Sequence, residues 1–162
     1  MIWLVVAILL VYILYSLMFS GPPYVPTISQ DIDKAFAELG VGRHDHVVDL
    51  GSGDGRALLK ASERGARASG AELNLLLVLI SRFRLRKQKQ ARVNWGSMWR
   101  YEIPDDATHI FIFGAGHFMK RFDKKITDFT KKKHPLLVMS YGFGFEGRKV
   151  DKIIGPFNIY QF

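Results

Sequence analysis

The pattern of hydrophobic and polar positions divides the chain into an apolar beginning and an alternating series of strands and helices. Residues 2–19 are apolar almost throughout and carry no charge. As a helix they would cover about 27 Å at roughly 1.5 Å per residue, close to the bilayer core of about 30 Å. They lack a basic start and a small-residue cleavage site. We therefore predict a retained transmembrane helix, with a cleaved signal or a buried core helix as the alternatives.

After this run, apolar stretches of strand length alternate with stretches of helical length. We predict strands at 46–50, 68–74, 92–99 with its loop, 108–113 and 136–141, a closing hairpin over 150–162, and helices at 31–39, 57–64, 75–90 and 117–132. Strands separated by helices favour a parallel sheet with helices on both faces. The chain then has three parts: a transmembrane anchor at 1–20, a stiff proline-rich juxtamembrane segment at 21–30, and an α/β domain at 31–162.

Charge and composition narrow the range of partners. The chain holds 23 Lys+Arg against 15 Asp+Glu, a formal net charge of +8, and all of it lies in 31–162. Such a balance favours nucleic acid or anionic lipid headgroups. The first basic residues follow the apolar run, which predicts a single-pass membrane protein with its domain facing the cytoplasm. There is no cysteine, the histidines form no ligand set, and we predict no metal site.

The candidate chemistry centres on a glycine-rich turn after the first predicted strand. An acid precedes alternating glycines and polar residues: Asp49, Gly51, Ser52, Gly53, Asp54 and Gly55. The spacing differs from the G-x-G-x-x-G of dinucleotide-binding turns, and no Walker lysine follows. Asp54 would repel a pyrophosphate and suits a ligand with a positive centre, such as an ammonium group. A turn that merely ends a strand is the alternative.

A second acid supports a nucleoside ligand at the same edge of the sheet. Glu72 ends the second predicted strand, where an acid in the related dinucleotide fold accepts hydrogen bonds from the ribose. Enzymes that use NAD share this feature, so Glu72 indicates a ribose without choosing between cofactors.

The residues 47–56, Val-Val-Asp-Leu-Gly-Ser-Gly-Asp-Gly-Arg, closely resemble the first motif of the class I S-adenosylmethionine-dependent methyltransferases. With the segments 23–27, 70–74, 113–119 and 141–143, the chain is similar to the membrane-anchored protein-lysine methyltransferases of mitochondria that modify the adenine nucleotide carrier and the c-ring protein of ATP synthase, and to their prokaryotic relatives. The resemblance implies a Rossmann-like class I methyltransferase sheet, S-adenosylmethionine as donor, and a lysine near a membrane as acceptor.

The resemblance also implies roles for single residues. The cofactor would contact the glycine turn, Asp49, Glu72, Asn74 and Ser97, the last standing where an acid often touches the adenine. An aromatic pocket would favour a neutral lysine and attract the sulfonium. Its candidates are Tyr24, Phe113, Tyr141 and Trp99. Residues 24–27 either close over the cofactor or form a plain linker.

Three functions stay open at this point. The preferred one is a membrane-tethered protein-lysine methyltransferase, which contacts the lipid bilayer through residues 2–19 and a protein substrate at the membrane. The second is an RNA or small-molecule methyltransferase whose basic helices hold the acceptor. The third is a non-catalytic module that keeps the cofactor-binding fold.

Overall fold

A computed structural model describes residues 1–19, 27–114 and 116–162 of the chain. The helices are α1 (Ile2–Phe19), α2 (Ser29–Glu38), α3 (Arg56–Glu63), α4 (Leu75–Leu85) and α5 (Gly116–Thr130). The strands are β1 (His46–Leu50), β2 (Arg67–Glu72), β3 (Ala91–Trp95), β4 (His109–Ile112), β5 (Leu137–Tyr141), β6 (Lys152–Ile154) and β7 (Phe157–Gln161). The predicted strands and helices therefore form in the predicted order.

The strands make one sheet in the order β3-β2-β1-β4-β5-β7-β6. Strands β1 to β5 pair in parallel, whereas β7 is antiparallel to both β5 and β6. Gly155, with a φ of +53°, makes the turn that reverses the chain between β6 and β7. The order confirms the predicted Rossmann-like α/β fold. Because it changes direction between β1 and β4, a ligand site is expected beyond the carboxyl ends of these strands.

Neighbouring residues of each central strand enter two separate cores. Val47 packs in the core that contains Phe36 of α2 and Val78 of α4. Val48 packs in the core that contains Phe122 of α5. Since consecutive side chains of a strand point to opposite faces, the sheet is covered on both faces. This explains why β1 and β4 are buried along their whole length.

Helix α4 ends at Leu85, earlier than the predicted end at residue 90. The chain leaves the helix through tight turns, in which Gln88 N–H donates to the carbonyl of Leu85 and Ala91 N–H donates to that of Gln88. The Gln90 carbonyl then accepts from Ala68 N–H at the start of the β2–β3 pair. Pairing of β3 with β2 therefore overrides the helical pattern of the basic residues after Leu85.

The apolar beginning forms α1, whose side chains at residues 2–11 are exposed. We predicted that residues 2–19 cross a membrane. The structure confirms the helix but not the span, because no helix in the described part of the chain is long and apolar enough to cross a membrane. Of the predicted juxtamembrane segment 21–30, residues 21–26 lie outside the described residues. The boundaries of the three predicted parts stay predictions.

Candidate active site

The glycine turn adopts a conformation that non-glycine residues rarely take. Gly51, Gly53 and Gly55 have φ angles of +99°, +54° and +78°, which glycine reaches at little cost. The N–H groups of Gly51 and Ser52 both donate to the carbonyl of Ala71 in β2, at 3.0 Å. Because these donors already have partners within the chain, the turn is not arranged as an anion cradle, in agreement with the exclusion of a pyrophosphate.

Glu72 points toward this turn. Its Oε2 accepts from the N–H of Gly53 at 2.9 Å, and its Oε1 accepts from the N–H of Asn74 at 2.7 Å. A carboxylate oxygen has two lone pairs, so each oxygen keeps capacity for another donor. Glu72 thus links the end of β2 to the loop after β1. Its predicted contact with a ribose stays a prediction.

Asp49 is the most unusual acid of the site. Its side chain is buried, and within residues 27–114 and 116–162 no hydrogen-bond donor or cation is found on its carboxylate. Burial raises the pKa of the Asp49 carboxyl well above its usual range, and the nearby charges of Glu72 and Asp54 raise it further. A cationic ligand would offset this accumulation of negative charge.

Asp54 is held by two arginines of the chain itself. Arg56 Nη2 donates to its Oδ2 at 2.8 Å, and Arg84 of α4 forms a second ion pair with the same oxygen. The sequence suggested a carboxylate that faces a ligand ammonium. The structure instead neutralises Asp54 with cations from two helices, so in this arrangement it fixes the loop to α3 and α4. Its predicted contact with the cofactor stays a prediction.

Helix α4 also packs closely on the end of the glycine turn. A Cβ added to Gly55 would overlap the Ser81 hydroxyl and lie 3.0 Å from Ser81 Cβ. The Ser81 side chain is fully buried, and its hydroxyl has no hydrogen-bond partner in the described part of the chain. The hydroxyl of Ser52 is likewise buried without a partner there. The contact between Gly55 and Ser81 therefore sets how near the turn lies to α4.

The two other predicted cofactor residues have visible structural roles. Asn74 caps α4, because its Oδ1 accepts from the N–H groups of Leu76 and Leu77 at 3.0 and 3.3 Å. Ser97 lies in the loop after β3, where its hydroxyl accepts from the N–H of Trp99 at 3.3 Å. Both stand at the carboxyl edge of the sheet, as expected for cofactor contacts, but these contacts stay predictions.

The structure brings together two of the predicted acceptor-site aromatics and separates a third. Phe113 and Tyr141 follow or end the neighbouring strands β4 and β5, and their rings meet edge to face with centroids 4.9 Å apart. Trp99 packs instead against Phe118 and Phe122 in the core beneath α5. Tyr141 belongs to the core on the opposite face. Grouping Trp99 with Tyr141 was therefore wrong, and Tyr24 lies outside the described residues.

Some residues of the site gave no separate signal in the sequence. Met98 places its Sδ 3.6 Å from the position of a Cβ on Gly51. Arg56 Nη1 donates to the Thr27 carbonyl at 2.6 Å, which brings the end of segment 24–27 to the glycine turn. In the described ranges no group of three or more acids and histidines is arranged to hold a metal ion. The expectation of no metal stays a prediction.

Comparison with known proteins decides the class. Residues 49–152 match the family described as the ANTKMT methyltransferase domain. The chain belongs to this methyltransferase family. The match begins at Asp49, so the matched region includes the whole glycine turn. It confirms the predicted resemblance to the class I S-adenosylmethionine-dependent methyltransferases.

Curated relatives of the ANTKMT methyltransferase chain have a more specific name, which describes them as lysine N-methyltransferases of the ATP synthase c protein. The chain is 32% identical over 136 residues to the relative of this name from Xenopus laevis, covering 82% of this chain and 58% of the relative. It is 32% identical over 107 residues to the one from Homo sapiens, covering 64% and 45%. The chain therefore spans about half the length of the curated relatives that it matches.

Solved structures share the fold of the ANTKMT methyltransferase chain. An RNA methyltransferase from Salinibacter ruber, in complex with S-adenosyl-L-homocysteine, superposes with a TM-score of 0.74 at 23% identity, covering 85% of this chain and 92% of that one. A methyltransferase from Geobacter sulfurreducens, also with S-adenosyl-L-homocysteine, gives 0.62 at 18% identity, covering 80% and 54%. At these identities the likeness shows the fold alone.

Proposed function

We propose that this chain transfers a methyl group from S-adenosylmethionine to a lysine side chain of a protein substrate. The observation that carries the proposal is the buried, unneutralised Asp49 beside Glu72 at the glycine turn of a methyltransferase-family domain. A ligand with a sulfonium and an ammonium group matches this excess of negative charge. The names of the curated relatives support lysine as the acceptor.

The residues at the turn would bind and orient this cofactor. Asp49 and Glu72 supply the carboxylates that offset its positive charge and accept hydrogen bonds from its hydroxyls. The glycines let the backbone approach it without side-chain obstruction. When bound, S-adenosylmethionine supplies an activated methyl group on a positively charged sulfur. The remaining catalytic task is to present a neutral nucleophile in line with that methyl group.

Phe113 and Tyr141 are the residues that we assign to the acceptor. Both are half-buried at the carboxyl ends of neighbouring strands, next to the turn at β1. An apolar wall disfavours the lysine ammonium relative to the neutral amine. No general base is required of the wall itself, because burial lowers the lysine pKa and the departing proton goes to water.

The decisive experiment follows the label from methyl-labelled S-adenosylmethionine. The full chain is offered membrane protein extracts and total RNA in separate reactions. We expect the label in protein, on lysine, and not in RNA. The net charge of +8 makes RNA the competing acceptor, and labelled RNA without labelled protein would refute the lysine assignment. Absence of label from both would favour the non-catalytic module.

Phe113→Ala is expected to lower kcat/KM for the protein acceptor about 10-fold, because the acceptor amine loses part of the apolar wall that disfavours its charged form. The matched control is Phe143→Ala, which removes an exposed ring from the loop after β5. Cofactor affinity, measured by calorimetry, should be unchanged in both variants. Equal activities of the two variants would contradict the assignment.

We further propose that residues 2–19 attach the protein to a membrane, without assigning a span to them. The proposal is supported by the exposure of Ile2, Trp3 and Leu4, which are 75%, 83% and 65% exposed. Removing residues 1–20 is expected to reduce flotation of the protein with lipid vesicles. Equal flotation of the full and shortened chains would contradict it. The cytoplasmic orientation of the domain stays a prediction.

A further inference from the structure

Helix α4 has apolar side chains on two faces, and the fold uses only one of them. Its inner face, with Leu77, Val78 and Leu85, is buried against the sheet. On the outer face Leu76, Leu79, Ile80 and Phe83 are 37%, 53%, 40% and 67% exposed. These four residues follow the i, i+3, i+4, i+7 spacing of one helical face. We call them the outer stripe of α4.

The apolar surface continues past the start of the helix. Leu73 is 49% exposed and Trp95, at the end of β3, is 60% exposed. The Trp95 indole N–H donates to the Leu73 carbonyl at 3.1 Å, which holds the two residues together. Single exposed apolar residues need no explanation, but a continuous surface of this kind marks an interaction site.

Cations that lack acidic partners surround the other end of the stripe. Arg82, Arg86, Lys87 and Lys89 are exposed, and none forms an ion pair within the described ranges. The Arg86 guanidinium lies 4.0 Å from the centroid of the Phe83 ring and donates to the Phe83 carbonyl. By contrast, Lys120 and Lys124 of α5 pair with Glu146 and Asp128.

We propose that the outer stripe of α4 docks on the surface of an anionic lipid bilayer. Apolar side chains along one helical face, with arginines and lysines beside them, are the composition that lies in a bilayer interface. Each cation near anionic headgroups adds attraction, and tryptophan favours the headgroup level. A protein partner would need acidic groups placed opposite each cation, whereas an anionic leaflet presents them everywhere.

This surface has a consequence for the orientation of the domain. Helix α4 begins directly after Glu72 and Asn74, at the edge of the sheet that carries the glycine turn. Docking through α4 would therefore hold that edge near the headgroups. The inference depends neither on α1 nor on the chemical identity of the methyl acceptor.

Because the chain has no cysteine, single cysteines can carry an environment-sensitive dye at chosen positions. Leu79→Cys and Phe83→Cys place the dye on the outer stripe, and Lys124→Cys places it on exposed α5 as the control. Each labelled full-length chain is mixed with phosphatidylcholine vesicles that contain or lack phosphatidylserine. We expect a blue shift and a severalfold rise in emission at 79 and 83 with anionic vesicles only, and no change at 124.

Two further measurements separate this surface from other causes. Replacing Arg82 and Arg86 by glutamine should weaken the vesicle response of the label at 79 by about 5-fold for each charge removed. Labels on the stripe that stay unchanged, whether or not the protein floats with the vesicles, overturn the proposal. An equal response to neutral vesicles, or a response without vesicles that grows with protein concentration, also overturns it, the latter in favour of a second copy of the chain.

Discussion

Replacing Asp49 by asparagine is expected to weaken S-adenosylmethionine binding about 100-fold and to raise the Tm of the unliganded protein. The affinity falls because the cofactor loses a buried negative charge, a loss equivalent to about 2.7 kcal/mol. The Tm rises because the carboxylate is buried beside Glu72 and Asp54 without a neutralising partner in the described ranges. Calorimetry measures the first effect and thermal unfolding without cofactor the second.

The pKa of Asp49 fixes the direction of the pH dependence. A raised carboxyl pKa means that the folded protein holds a proton that the unfolded chain has already released. The unliganded protein therefore gains stability as the pH falls through this folded-state pKa. Cofactor affinity falls over the same range, because a cationic ligand requires the ionised carboxylate. Asp49→Asn should abolish this pH dependence of binding.

The control for Asp49 is Glu63→Gln, which removes one acidic charge from the surface of α3. It should leave affinity, Tm and the pH dependence of binding almost unchanged. If Asp49→Asn bound the cofactor as tightly as the unmodified chain does, Asp49 would have no role in the site. A lowered Tm in that variant would show that its carboxylate is neutralised in the folded protein.

Gly55→Ala is expected to lower the free energy of unfolding by about 3 kcal/mol. A left-handed residue with a Cβ costs about 1–2 kcal/mol, and Gly55 has a φ of +78°. Crowding of a packed contact adds about 1–3 kcal/mol, and the new methyl group would overlap the Ser81 hydroxyl. Denaturant unfolding measures the loss, and cofactor affinity should fall because the turn must move away from α4.

Two companion variants test the physical cause. Gly42→Ala adds a methyl group where the nearest atom is 3.7 Å away, so it should change stability by less than about 0.5 kcal/mol. Adding Ser81→Ala to Gly55→Ala removes the hydroxyl that meets the methyl group and should recover part of the lost stability. If the double variant is no more stable than Gly55→Ala alone, the contact with Ser81 is not the source of the loss.

The sequence was sufficient for those features that depend on local pattern. The apolar run of β1 and its alternating glycines require a strand followed by a turn with positive φ angles, and the structure has both. Phe113 and Tyr141 could be paired in advance, because residues at the ends of neighbouring parallel strands meet at one edge of the sheet. Their rings are 4.9 Å apart.

Other features depend on how distant elements pack. The ion pair between Asp54 and Arg84 forms only because α4 lies against the glycine turn, and no spacing within either segment indicates that contact. Trp99 follows β3, but the irregular chain after Ser97 takes its ring to the core beneath α5. The end of α4 is set by pairing of β3 with β2, which outweighs a helical pattern in the basic residues.

Arg56 joins two parts of the chain that lie far apart in sequence. Its guanidinium donates both to Asp54 in the glycine turn and to the Thr27 carbonyl just before α2. Any shortened version of this protein should therefore retain Thr27, since a start at residue 28 would deprive the guanidinium of an acceptor next to the turn. The smallest faithful catalytic fragment thus begins earlier than its first helix would suggest.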